Sequence, residues 1–324
     1  MNKYIGHPLQ ISGVEEVTLT RDKGKGMTLL QVRNGKGLEI TFSVDRAMDI
    51  ARVTFKGDNL GYFSPCGYVA PSFYDSQGTG FLKSFTAGFM TTCGLTAVGS
   101  PCTDAGEELP LHGTIANTPC ENYSYRETED AIIITATVRD AAIFAHQLIL
   151  EREYICSKTE NRLSLCDRIK NIGSSETPLE VLYHCNMGYP LLSENTVLDI
   201  PAKKIEPRNA HAKDGLKDCL KMEKPQRGYE EMCYYHTLTA GSVSAYNPDI
   251  KKGVVMSFDT AELPYFTEWK MMGEHDYVLG LESGNCLPDG RDVMRQKGIL
   301  EFLKPEEEKL HHIEFKFVEE MSKC

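Results

Sequence analysis

The chain has 324 residues, a net charge of −11 and a pI near 5.4, with 41% hydrophobic and 25% charged residues. That length and apolar content are enough for a large core, and because β-sandwiches of this size commonly form one unit, a single domain over residues 1–324 is expected. The acidic balance, with Lys and Arg scattered, argues against a nucleic-acid partner, and no stretch approaches the roughly 20 apolar residues that span a bilayer.

Eleven cysteines are present without a CxxC, and the start MNKYIGHPLQ carries no apolar leader core, so a reducing cytosol is the expected compartment. In that setting thiols such as Cys156 and Cys166 are expected to act as small buried hydrophobes.

From the start, Val14 to Arg21, Met27 to Arg33 and Gly37 to Val44 are strand-like and separated by the turn compositions DKGKG and NGKG. Leu38, Ile40, Phe42 and Val44 alternate with polar residues, the pattern of a half-buried strand. Met48 to Phe55 reads as its neighbour, with Arg46 and Asp49 at the bend between them. Residues 57–119 then turn rich in Gly, Pro, Ser and aromatics. They are too apolar for a disordered linker and read as an ordered excursion with a short helix near Gly80 to Phe89, forming the wall of a pocket.

Strands resume at Asp130 to Arg139, His146 to Cys156, Asn161 to Asn171 and Thr177 to Gly188. Residues 201–230 are polar and weakly periodic, and read as an exposed connection with at most one helical turn and no visible chemistry. Further strands are expected at Met232 to Leu238, Ser242 to Asn247, Gly253 to Asp259, Tyr265 to Met271, Asp276 to Glu282 and Lys309 to Phe317. The regular beat of strand and turn predicts an all-β fold, a large antiparallel β-sandwich.

Three residues invite chemistry: His112 in LPLHGTIANTP, His184 in LYHCNMGYPLL and Glu282 in YVLGLESGN. Each histidine alone is as well explained by a structural hydrogen bond. Glu282 is more telling, because a carboxylate directly after an apolar β-run is costly to bury without purpose. Two imidazoles and a carboxylate on strand ends suit proton transfer. A metal is the competing use of the same residue types, but no HxH or HxxxH pair occurs, and His311 and His312 should point to opposite faces of a strand. No metal site is therefore expected. Cys93, in TTCGL, is read as a pocket-lining or buried thiol rather than a nucleophile. Trp269, followed by Lys270, could stack on a sugar face. No dinucleotide or P-loop motif opens a helix, and no cofactor is expected.

Taken in order, DRAMDI, TCGL, LHGTIA, NMGYPLL and WKMMGEHDYVLGLESGN resemble the galactose-mutarotase-like superfamily of aldose 1-epimerases, over roughly Arg46 to Phe317. The resemblance implies a β-sandwich that binds a small-molecule carbohydrate on a concave face. It further implies His184 as general acid, Glu282 as general base and His112 as a sugar contact. Arg46, Asp49, Cys93, Asn186, Trp269 and Lys270 complete the expected substrate-binding set. Thr114 stands where a basic residue often follows, and Ser283 replaces a usual proline, which leaves the sugar's identity open. The alternative is a non-catalytic carbohydrate-binding or sensing protein on the same scaffold.

Overall fold

In the computed structural model, residues 3–320 are described; residues 1–2, at the start of MNKYIGHPLQ, and 321–324 of the expected 1–324 domain lie outside them. Every pairing between strands is antiparallel. A twelve-stranded sheet runs in the order Gly13–Thr18, Thr28–Arg33, Leu38–Ser43, Asp49–Phe55, Met90–Leu95, Thr177–Met187, Tyr277–Gly284, Tyr265–Met272, Met232–Leu238 and Ala202–Pro207, with two short strands off this path. An eight-stranded sheet runs Asn122–Glu127, Ala131–Ala141, Gln147–Ser157, Arg162–Asn171, Glu308–Val318, Lys252–Phe258, Ser242–Asn247 and Val197–Asp199.

Period-two alternation decides what lies between the sheets. Ile132, Ile134 and Val138 of one sheet meet Leu179, Val181, Tyr183 and Cys185 of the other in one core that extends from Val14 to Phe317. Each such aliphatic side chain contributes roughly 1.5–3 kcal/mol by leaving water. In the last strand, Ile313, Phe315 and Phe317 face this core, and His311 and His312 take opposite faces, as their adjacency requires.

The core also contains a charge network. Arg152 faces inward between Leu150 and Tyr154, and its guanidinium bonds Asp167 (2.6 and 2.8 Å), Asp49 (2.9 Å), the Ala47 carbonyl and Thr92. Tyr183 Oη donates to the same Asp167 at 2.7 Å. Every guanidinium nitrogen has a partner, which is the condition for tolerating a buried ion.

Residues 201–230 hold more than the expected helical turn: besides the six-residue helix Ala210–Gly215, whose Asn209 cap accepts from Ala212 N, they form the edge strand Ala202–Pro207. Ala212 and Cys219 pack on Met232 and Tyr234, so the segment covers the sheet edge. The short helix expected near Gly80 is a single 3₁₀ turn, Gly80–Lys83, followed by a two-residue strand at Ala87–Gly88.

Candidate active site

On Thr177–Met187 the odd positions fill the core, so His184 and Asn186 project from the other face of the large sheet. Register then places one row of side chains across four strands: Thr91, His184, Glu282 and Thr267 are successive partners. Over this row lies a cavity of about 290 Å³ lined by His112, His184, Arg208, Glu231, Thr267, Trp269 and Glu282 on its polar side. Phe81, Leu82, Phe85, Ser100 and Leu111, all from the 57–119 excursion, supply the opposing wall, so that segment has the expected place.

His184 Nε2 lies 3.2 Å from Glu282 Oε1, in contact but without hydrogen-bond alignment. Gly280 makes the carboxylate's position available: a Cβ there would sit 2.3 Å from Glu282 Oε1. His112 reaches the cavity from a tight turn in which it has φ +59° and Gly113 φ +70°; a Cβ at Gly113 would meet the Gly94 carbonyl at 2.3 Å. The turn is pinned by His112 N on the Gly99 carbonyl (2.9 Å) and Tyr74 Oη on the Gly113 carbonyl (3.0 Å). The His112 and His184 rings stand edge to face, 5.7 Å apart, and the Trp269 ring lies 5.3 Å from His184.

Burial governs the protonation states. It lowers His184 to about 4, and lowers His112 to about 3 with help from His184 and Arg208. It also pushes Glu282 well above the carboxylate range, reinforced by Glu231 and opposed by Arg208. Buried in this way, the pair is a carboxylic acid beside a neutral imidazole. Four buried polar atoms on cavity residues have no partner: His112 Nδ1, His184 Nδ1, Thr267 Oγ1 and Glu282 Oε1. Unpaired groups of this kind are expensive, and a ligand rich in hydroxyls would satisfy them.

Of the expected site residues, the fold gathers His112, His184, Trp269 and Glu282 at the cavity. Asn186 projects from the same face beside His184, its amide donating to the His184 carbonyl at 2.8 Å. The other four lie elsewhere. Asp49 belongs to the Arg152 network, and Arg46 is buried with its guanidinium on the Val69 carbonyl at 3.1 Å. Cys93 sits in an apolar cluster with Val98, Leu182, Cys286 and Met294. Lys270, one residue beyond Trp269, faces the opposite way and bonds the Lys221 carbonyl at 2.7 Å.

Sequence reasoning missed Arg208, Glu231 and Thr267. Glu231 accepts from Trp269 Nε1 at 2.7 Å and so fixes the indole plane. Arg208 donates to Asp289 (3.1 Å), Ser100 Oγ (2.8 Å) and the Pro288 carbonyl (3.1 Å), tying three loops together at the cavity rim. Strand parity from Trp269 would have found Thr267; nothing in the sequence marks Arg208. Among the described residues, no group of three or more His, Cys, Asp or Glu is placed to hold a metal ion.

A family profile described as "Domain of unknown function (DUF4432)" matches residues 24–317. Among solved structures, a candidate aldose 1-epimerase from Klebsiella pneumoniae superposes with a TM-score of 0.88 at 27% identity, over 94% of this chain and 83% of that one. A galactose mutarotase-like protein from Clostridium acetobutylicum gives 0.72 at 13% identity (95% and 99% covered). Galactose 1-epimerase from Lactobacillus acidophilus gives 0.63 at 14% (96% and 100%). No curated protein matches the sequence.

Proposed function

The chain belongs to the DUF4432 family and has a galactose-mutarotase-like fold, and from that premise we propose that it is a sugar 1-epimerase, interconverting the anomers of a monosaccharide. The observation that carries this reading is the cross-strand pair of His184 and Glu282, in contact at 3.2 Å at the floor of a cavity with unpaired polar atoms around it.

Mutarotation needs a proton taken from the anomeric hydroxyl and one given to the ring oxygen, then the reverse on the other carbonyl face. Moving the carboxyl proton of Glu282 to His184 converts the resting neutral pair into the ionised base and protonated acid. The proton count of the pair does not change, so no exchange with solvent is needed. Hydroxyls entering the cavity would supply the hydrogen bonds that favour this charged tautomer. His112 and Thr267 then serve as sugar contacts, and Trp269, held by Glu231, offers a ring face. We take the chain as one carbohydrate-binding domain, because one core cluster spans Val14 to Phe317. No helix among the described residues is long and apolar enough to cross a membrane. The cytoplasm is the compartment we propose, on the cysteine usage. The test is anomer exchange by saturation-transfer NMR across a panel of neutral and phosphorylated aldoses. Exchange above the spontaneous rate for at least one sugar is expected, and binding without exchange would move the protein to a sensing role.

A further inference from the structure

The solvent face of the eight-stranded sheet carries a second group of reactive side chains, which shares no lining residue with the sugar cavity. Cys166 and His312 are direct register partners on neighbouring strands, and Cys166 Sγ lies 3.3 Å from His312 Nε2. The other side of the imidazole is held by Glu262, whose carboxylate oxygens lie 2.9 and 3.1 Å from His312 Nδ1. The same carboxylate also accepts the His312 backbone N–H at 2.8 Å. Glu262 is in turn placed by a tight turn, its N–H on the Asp259 carbonyl at 3.1 Å. Thiol, imidazole and carboxylate thus form a chain, and a surface depression of about 550 Å³ opens on it, floored by Ile155, Leu165 and Phe258.

The geometry assigns the proton positions. A carboxylate on Nδ1 fixes the Nδ1–H tautomer, which leaves the Nε2 lone pair facing the thiol. Burial, with Asp167 and Glu153, raises the Cys166 thiol, so the resting group is protonated. A thiol in that state needs a base at the moment of attack, and His312 is the base within reach. Glu153 is the register partner of Cys166 on the other side, Glu262 also raises the thiol, Arg168, two residues along the same strand, lowers it, and Asp259 and Glu314 line the same depression. Other half-buried thiols lack this arrangement: Cys66 Sγ, for example, donates to the Leu82 carbonyl.

We infer that Cys166 is a modification site, a thiol activated by His312 and Glu262 for exchange with low-molecular-weight disulfides, with the adjoining depression receiving the adduct. In the exchange His312 Nε2 takes the thiol proton and Sγ attacks one sulfur of the disulfide. A new S–S bond forms to Cys166 as the old one breaks, and the departing thiolate takes the proton back from His312. The low-molecular-weight disulfide is the oxidant: the Cys166 sulfur is oxidised to the disulfide level as the departing sulfur is reduced to a thiol, and no other oxidant is needed.

The experiment treats the intact protein with excess glutathione disulfide near neutral pH and follows each cysteine by peptide mass spectrometry. Cys166 should acquire the adduct roughly 10-fold faster than Cys66 and Cys102, and Cys166→Ser should remove the fast phase. His312→Gln should bring the Cys166 rate to within about twofold of those two thiols, while their own rates in the same variant report whether the fold is intact. Should His312→Gln perturb the sheet, Glu262→Gln keeps the imidazole and must still slow Cys166. A Cys166 rate no greater than that of Cys66 and Cys102 overturns the assignment, as does a rate indifferent to both substitutions.

Discussion

His184 and Glu282 occupy directly opposed positions on adjacent antiparallel strands, with Nε2 and Oε1 3.2 Å apart. Their separation in sequence is closed by backbone pairing alone, so the proposed acid and base are held by paired strands inside the sheet rather than by a loop. Burial of both favours the neutral tautomer, which makes the pair a one-proton unit poised between two charge distributions.

A pH profile should reveal that unit. A second proton joins the pair at His184, held down to about 4, and the single proton leaves only at the raised value of Glu282. The expected kcat/KM is therefore level as pH falls through the ordinary histidine range and declines only on approach to about 4. An acid limb centred near the ordinary value of 6.5 would contradict the assignment.

Gly280→Ala should impair chemistry without unfolding the protein. The added Cβ would lie 2.3 Å from Glu282 Oε1 and must displace the carboxylate, while alanine is otherwise well tolerated in a strand. A fall in kcat of roughly 10-fold or more with a near-native melting temperature is expected, since small misplacements of a reacting group are costly.

How much of this was legible follows from strand parity. Glu282 announced itself as a carboxylate ending an apolar run, and His184 as a strand-end imidazole, because alternation along one strand is a local signal. Lys270 was misplaced against that same rule: next to Trp269, it had to face away, and the position two before, Thr267, had to face in. Glu268 takes the Lys270 side and lies 2.9 Å from His236 Nε2, away from the cavity. Asp49 and Arg46 look like site residues because their charges sit beside turns, yet Asp49 answers an arginine 103 positions away. Such pairing, like the arrival of Arg208 at the rim, depends on how strands order in the sheet and leaves no mark in local sequence.

The Arg152 network should be sensitive to loss of one partner. Asp167→Asn leaves the guanidinium short of a charge inside the core, and a loss of about 3–5 kcal/mol is expected from urea unfolding. A change below about 1 kcal/mol would mean that water reaches Arg152.

Glu180 provides a stability test by pH. Burial raises its carboxyl to about 8 from an ordinary 4.5, while its Oε2 accepts from Val98 N at 2.8 Å. The folded state thus holds the proton more tightly than the unfolded chain. The carboxyl's contribution is most favourable below 4.5, falls as pH rises to about 8, and is constant above. Glu180→Gln removes that slope, at most about 1.4 kcal/mol per pH unit, so the variant should gain on the native protein between pH 5 and 8. Equal melting-temperature differences at both pH values would refute it.

The central claim is that one proton-sharing pair exchanges anomers, and saturation-transfer NMR on a sugar the native protein converts measures it directly. Glu282→Gln keeps the shape but loses the basic oxygen, so exchange should fall by roughly 100-fold or more while affinity changes far less. His184→Asn should act alike, and the double variant should be little worse than either single one, as for groups serving one transfer. His112→Asn should weaken binding more than it slows exchange. Near-native exchange by Glu282→Gln would contradict the account.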